Sequence, residues 1–234
     1  MTAKTAAILV ALLAVALVIR LPALACAQPP SLLTDQPLYT LRDKQVVLQG
    51  AGYAPSQPYV VWLQTPVENS TRYTGVAFTA TDKGEIPPAV SLLVEPNSPL
   101  GTYLISISNS TTKDGSIARA HYGIWGPDKF VYERTEIVQA TGGGILPKAS
   151  VKVTIRNPAG NFVHDVTVAT NDTGTFLATW KVPPDAITES YTLFIDGIGT
   201  YDSPDKEFVS ISKFSVTPAL LNVTVLTQPN ELYE

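Results

Sequence analysis

Two stretches of this chain follow one plan, and that internal repeat narrows the possible folds more than any other feature. Tyr39 matches Tyr132, Gly50-Ala51-Gly52 matches Gly142-Gly143-Gly144, and Pro55 matches Pro147. Each set leads into an apolar run that ends at a proline turn: Val60-Val61-Trp62-Leu63 before Pro66, and Val151-Lys152-Val153-Thr154-Ile155 before Pro158. Further on, Gly84 matches Gly174 after an Asp/Asn-rich turn, and the proline-bearing stretch before Gly101-Thr102-Tyr103 matches Val182-Pro183-Pro184 before Tyr191. A closing run at Ala118 to Ile124 matches Phe208 to Val216. Self-similarity of this kind marks an array of like units, here of about ninety residues each.

The runs themselves are short and rich in β-branched and aromatic residues, as in Tyr59 to Leu63, Tyr103 to Ile107, Val151 to Ile155 and Tyr191 to Ile195. Such side chains suit a pleated, half-buried surface, and helical periodicity is almost absent past the first residues. Between the runs stand Asp82-Lys83-Gly84, Asn157-Pro158-Ala159-Gly160 and Asn171-Asp172-Thr173-Gly174, where Gly or Asn accepts positive φ and Pro presets a turn. Short, regularly punctuated strands predict an all-β sandwich or barrel. We therefore expect sandwiches over 28–126 and 127–218. The last residues, Thr227 to Glu234, echo Thr34 to Tyr39 and Phe130 to Glu133, so 219–234 reads as the start of a third, truncated repeat.

Residues 1–27 read differently. Lys4 precedes an almost purely apolar run from Ala6 to Ile19, and small residues at Ala23, Ala25 and Ala27 offer cleavage sites, which is the layout of a secretory signal. Arg20 and Pro22 interrupt the run short of the about twenty apolar residues that a spanning helix needs. A signal peptide or N-terminal anchor helix is expected here, with an extracellular or cell-surface destination, and any membrane contact is confined to this segment. Cys26, the sole cysteine, closes the leader; Ala23 stands where a lipoprotein signal usually has leucine. The exported body thus has no disulfide and must be held by packing, which domains of roughly a hundred residues can manage. Removing Lys4 and Arg20 leaves 14 basic against 20 acidic residues, a net charge of −6 with no basic run. Nucleic acid is excluded as a partner on that ground.

Thr34-Asp35-Gln36-Pro37-Leu38-Tyr39, followed by Val46-Val47-Leu48-Gln49-Gly50, resembles the opening of the macroglobulin-type MG2 sandwich. Gly101-Thr102-Tyr103 and Asn171 to Phe176 resemble immunoglobulin-like repeats of bacterial and archaeal surface proteins. The resemblance covers nearly the whole mature chain and implies tandem immunoglobulin-like β-sandwiches. Gln36 stands where the MG2 pattern has lysine, and no Cys-Gly-Glu-Gln thioester sequence occurs, so thioester trapping of proteases does not carry over.

No catalytic motif is present: neither H-E-x-x-H nor G-x-S-x-G nor a phosphate-binding loop occurs. His121 and His164 are far apart in sequence and read as surface or packing residues, and Gly142-Gly143-Gly144 as a strand-linking turn. Asp196, Asp202, Asp205 and Glu207 lie close together but match no calcium loop, so no metal and no cofactor are assigned. Four N-x-S/T sequons, at Asn69, Asn109, Asn171 and Asn222, are the candidate glycan sites. Trp62 and Trp180 fall within strands and Trp125 at the seam of the repeats, which suggests core and hinge packing. The sequence therefore predicts a non-catalytic surface protein whose repeats act as a spacer or as adhesion modules toward protein or glycan partners. Two alternatives stay open: a carbohydrate-binding or accessory module of a secreted enzyme, and an N-terminal fragment of a macroglobulin-like protease-binding protein.

Overall fold

A computed structural model describes residues 28–68, 70–111 and 115–219, and over them the chain is all-β. The leader at 1–27, the closing echo after residue 219, Asn69 and Asn222 lie outside the described residues. The strands are β1 (Leu33–Thr34), β2 (Leu38–Thr40), β3 (Gln45–Gln49), β4 (Pro58–Gln64), β5 (Arg72–Thr79), β6 (Ser91–Leu93), β7 (Gly101–Ser108) and β8 (Ser116–Pro127). They continue as β9 (Val131–Glu133), β10 (Ile137–Gly142), β11 (Ser150–Arg156), β12 (Phe162–Ala169), β13 (Phe176–Lys181), β14 (Ser190–Thr200) and β15 (Ser203–Thr217). Every run read as a strand from composition lies in one of these. No helix among the described residues is long and apolar enough to cross a membrane.

The strands make three sheets. One is β1-β3-β6, one runs β13-β10-β8-β7-β4-β5 with β2 beside β8, and one is β12-β11-β14-β15-β9. Between them the buried apolar side chains fall into two clusters. The first holds Tyr39, Leu48, Val61, Ile105, Ile107 and Ile124; the second holds Trp125, Tyr132, Ile145, Val153, Leu193 and Phe214. Alternation fills each cluster, since successive side chains of a strand point to opposite faces. In β4, for example, Tyr59 and Val61 are buried while Val60, Trp62 and Gln64 face outward.

The repeat read from the sequence returns as repeated geometry. Tyr39 donates its hydroxyl to Asp35 Oδ1 at 2.6 Å and accepts from the Gln36 N–H at 3.1 Å, while Asp35 Oδ1 also accepts from the Val47 N–H at 2.8 Å. Tyr132 does the same with Asp128 at 2.6 Å and the Lys129 N–H at 2.9 Å, and Asp128 accepts from the Gln139 N–H at 2.8 Å. Each clasp ties the short segment leading into β2 or β9 to the next strand, β3 or β10. Burial and the neighbouring carboxylate raise both phenols far above their ordinary pKa, so the clasp holds its proton throughout the neutral range. Ser56 and Lys148, which follow the matched prolines, share a positive φ of 58° and 60°. Gly84 and Gly174 share one of 74° and 67°, and each presses its Cα against a carbonyl of the chain, Tyr53 O and Ile145 O.

The joint between the two clusters is a strand. β8 pairs with β7 from Ser116 to Ile124, and its last three residues, Trp125, Gly126 and Pro127, pair with Gly142, Thr141 and Ala140 of β10. That end of β8 does for β10 what β1 does for β3, where Leu33 and Thr34 pair with Gln49 and Leu48. The seam expected between residues 126 and 127 therefore falls within continuous strand rather than in a turn. The glycines there serve close packing: a Cβ on Gly123 would collide with Gly143 O, and one on Gly142 with the Trp125 side chain.

Candidate interaction site at the joint and on the outer sheet

Several sets of side chains fasten the joint. Leu38 of β2 is 4% exposed and packs in the second cluster although its strand pairs with β8 beside the first. Trp125 is fully buried and donates its Nε1–H to Ser210 Oγ at 2.8 Å. Thr102 Oγ1 accepts from the Gly144 N–H at 2.8 Å and donates to Thr173 O at 3.2 Å. Arg42 donates to Lys213 O at 3.2 Å with its guanidinium 4.9 Å above the Phe130 ring.

His121 belongs to the same joint. Its N–H donates to Asp202 Oδ2 at 2.6 Å, its Nδ1 lies 3.0 Å from Asp202 Oδ1, and its ring stacks on Tyr201 with centroids 4.8 Å apart. Asp202 is thus engaged in holding one half of the chain to the other. His164 sits elsewhere, on β12, facing Val138 and Trp180, with an enclosed Nε2 that has no partner; burial lowers its pKa below the ordinary imidazole value. The structure does not bring the two histidines together. Among the described residues, no three His, Cys, Asp or Glu side chains come together in a way that could hold a metal ion.

The outer face of β5, β4, β7 and β8 carries a second feature. Register places Tyr73, Trp62, Ser106 and Arg119 directly opposite one another, in a row across four strands. Trp62 does not pack in the core, as its strand setting suggested; it stands on the solvent side with its ring 5.8 Å from Tyr73 and tilted 53° to it. A shallow groove of about 230 Å³ runs along the Trp62, Ser106 and Arg119 part of this row, walled by Gln64, Leu104, Ser108 and Ser116 among others. A second groove of about 380 Å³ shares Gln64 and Leu104 and reaches His121, Thr173 and Tyr201.

Two sequons can be placed. Asn109 is exposed in the β7–β8 hairpin. Asn171 is exposed in the turn before β13, where its Oδ1 accepts from the N–H of Thr173 and of Thr175, both at 2.9 Å, and from the Thr173 hydroxyl at 2.8 Å. Its carbonyl oxygen shapes the turn, a local use that asparagine commonly serves.

No family model matches the chain, and no curated protein matches it. Among solved structures it is similar to a tetra-tandem repeat in the extending region of a large adhesion protein, at 14% identity over 80% of this chain and 49% of that one, with a TM-score of 0.34. It is also similar to native E. coli alpha-2-macroglobulin, at 12% identity over 82% of this chain and 14% of that one, with a TM-score of 0.31. A 1.5-MDa bacterial ice-binding adhesin gives 12% identity over 82% of this chain and 65% of that one, with a TM-score of 0.28. The chain spans about half of the first of these structures and a small part of the second. These are likenesses at low overlap, and the functional reading rests on the strand pairing instead.

Proposed function

We propose that this is a non-catalytic, exported surface protein whose two immunoglobulin-like sandwiches, 28–126 and 127–218, work as a rigid spacer or adhesion module. The observation that carries the reading is the joint: β8 gives its first part to one sheet partner and its last residues to another, and Trp125, Leu38, Thr102 and His121 bolt the halves together. A chain that holds a tip at a distance gains from a joint that resists bending, and a paired strand resists bending far better than a linker does. Exposed Asn109 and Asn171 are offered as glycan acceptors on the same reading. Partners are proteins or glycans at the surface, met by side chains of the outer sheets.

Rigidity is tested with spin labels on Asp82→Cys and Asp205→Cys in a Cys26→Ser background, which removes the only native thiol. A single narrow distance distribution supports a spacer, and a broad one overturns it. Export is tested on protein from the native host by fractionation, intact mass and N-terminal sequencing. A start near Cys26 or Gln28 in the envelope or medium, with added mass at the sequons, supports the reading; an intact Met1 in the cytosol refutes it.

A further inference from the structure

We infer that the groove on the outer face of β4, β7 and β8 binds a short uncharged oligosaccharide, with Trp62, flanked by Tyr73, as the stacking wall and Arg119, Gln64 and Ser116 as the hydrogen-bonding floor. Such binding gives an adhesive surface its ligand class, yet it requires neither export nor a stiff joint.

Trp62 is half-buried on the outer face of its sheet and stands outside the first cluster, which is filled by Tyr59, Val61, Ile105 and their neighbours from the opposite face. Trp62 instead lies beside Tyr73, which is 42% exposed, so two aromatic rings stand side by side at one end of the row. The C–H face of a pyranose is apolar and its rim is hydroxyl. It therefore matches an aromatic face beside a field of small polar groups.

The other end supplies that field. The exposed Arg119 completes the row beyond the buried Ser106, the half-buried Ser116 lies opposite the buried Ser108 one step along, and the Arg119 Nε–H donates to Ser116 Oγ at 3.2 Å, which steadies the guanidinium over the floor. Four strands spaced by ~4.8 Å give a row about 14 Å long, room for roughly two to three sugar rings. Among the described residues, Arg119 is the sole charged one lining this groove. A sulfated or uronate polymer calls for clustered cations, and none gather here.

An extended peptide is the other ligand that a sheet attracts, and the topology disfavours it. Peptides add to sheets by pairing with an open edge. β4 and β7 are paired on both sides, so over them the backbone groups are spent and recognition falls to side chains; β8 gains a second partner only from Gly123 onward, and the peptide probe below tests its open stretch from Ser116 to Tyr122. The adjoining groove across Gln64 and Leu104, with the stacked His121 and Tyr201 rings on its wall, gives a longer glycan a path onward.

The test titrates the full chain with maltohexaose, cellohexaose and mannohexaose, followed by calorimetry and tryptophan fluorescence. A heparin-derived hexasaccharide and an unstructured dodecapeptide serve as probes of other classes. At least one neutral hexasaccharide is expected to bind saturably, with affinity lowered about tenfold in Trp62→Ala and several-fold in Arg119→Ala and Gln64→Ala. Val209→Ala, exposed on β15 of another sheet, is expected to change nothing. Trp62 is half-buried and its loss can disturb folding, so the exposed Arg119 and the half-buried Gln64 carry the test on their own. The inference is overturned if no neutral probe binds at millimolar concentration, if binding survives both Arg119→Ala and Gln64→Ala unchanged, or if only the sulfated probe or the peptide binds.

Discussion

Replacing Tyr132 by Phe removes one oxygen and leaves the ring, so it isolates the clasp from the packing around it. That oxygen makes a 2.6 Å bond to the Asp128 carboxylate and receives the Lys129 N–H at 2.9 Å. A hydrogen bond to a charged group is worth about 1.5–3 kcal/mol net, and an N–H that loses its acceptor adds about 1 kcal/mol of cost. Two things reduce the total: Asp128 keeps its bond from Gln139, and the phenylalanine no longer buries a hydroxyl. A net loss of about 2 kcal/mol results, which at an m-value of ~2 kcal/mol/M lowers the urea midpoint by about 1 M. Far-UV circular dichroism and tryptophan fluorescence follow the transition. Tyr39→Phe is expected to cost the same through Asp35, since the geometry is the same. The pair also reports on cooperativity: with the halves coupled through β8, either variant shifts one common transition, and the double variant shifts it by the sum. A Tyr132→Phe protein within about 0.5 kcal/mol of the parent would refute the claim that the clasp holds β9 to β10.

Gly174→Ala is expected to cost about 2 kcal/mol or more, because its φ of 67° disfavours a side chain and the new methyl collides with Ile145 O; Gly160→Ala, with φ 83° but open space, is expected to cost only ~1 kcal/mol, and urea denaturation separates the two. His164 carries a pKa lowered by burial, so the unfolded chain binds its proton more readily and stability falls as pH drops below the ordinary imidazole value. Urea midpoints taken above and below that value are expected to lie closer together in His164→Gln than in the parent, and an unchanged gap counts against the burial of the ring.

Strands were legible because their spacing and residue types are local properties. The turns at Gly84 and Gly174 were legible for the same reason: positive φ next to Asp or Asn leaves a mark in the sequence. The clasps left a mark that composition alone hides, an aspartate four residues before each matched tyrosine, at Asp35 and Asp128. Aromatic residues in strands usually face inward, which points Trp62 to packing, yet the alternation through Tyr59 and Val61 sends position 62 outward. The joint was not legible. Gly123, Gly126 and Pro127 are turn formers when read singly, and only the approach of Gly143 explains why Gly123 is a glycine in a strand. The contact of His121 with Asp202, 81 residues away, is invisible to any local pattern.

A shared strand makes a strong claim about where this chain can be cut. In a string of independent domains, division at the linker leaves both pieces intact. Here a piece ending at Pro127 keeps β8 but loses β10, so Trp125 gives up its burial against Phe176 and its bond to Ser210, and Leu38 loses the second cluster. Exposing a tryptophan and a leucine that are buried in the parent costs several kcal/mol, roughly 3 or more for the tryptophan alone. The piece beginning at Asp128 fares no better, since β10 then presents an open edge where Trp125 to Pro127 had paired, and an open edge invites association with other chains. We therefore expect 28–127 and 128–219, made separately, to unfold at lower urea than the joined chain and to self-associate, and a fragment extended through Gly144 to recover part of the loss in the first half by restoring β10. Two separate halves that are monomeric and as stable as the whole would show that the joint is a linker after all, and the spacer reading would lose the rigidity on which it rests.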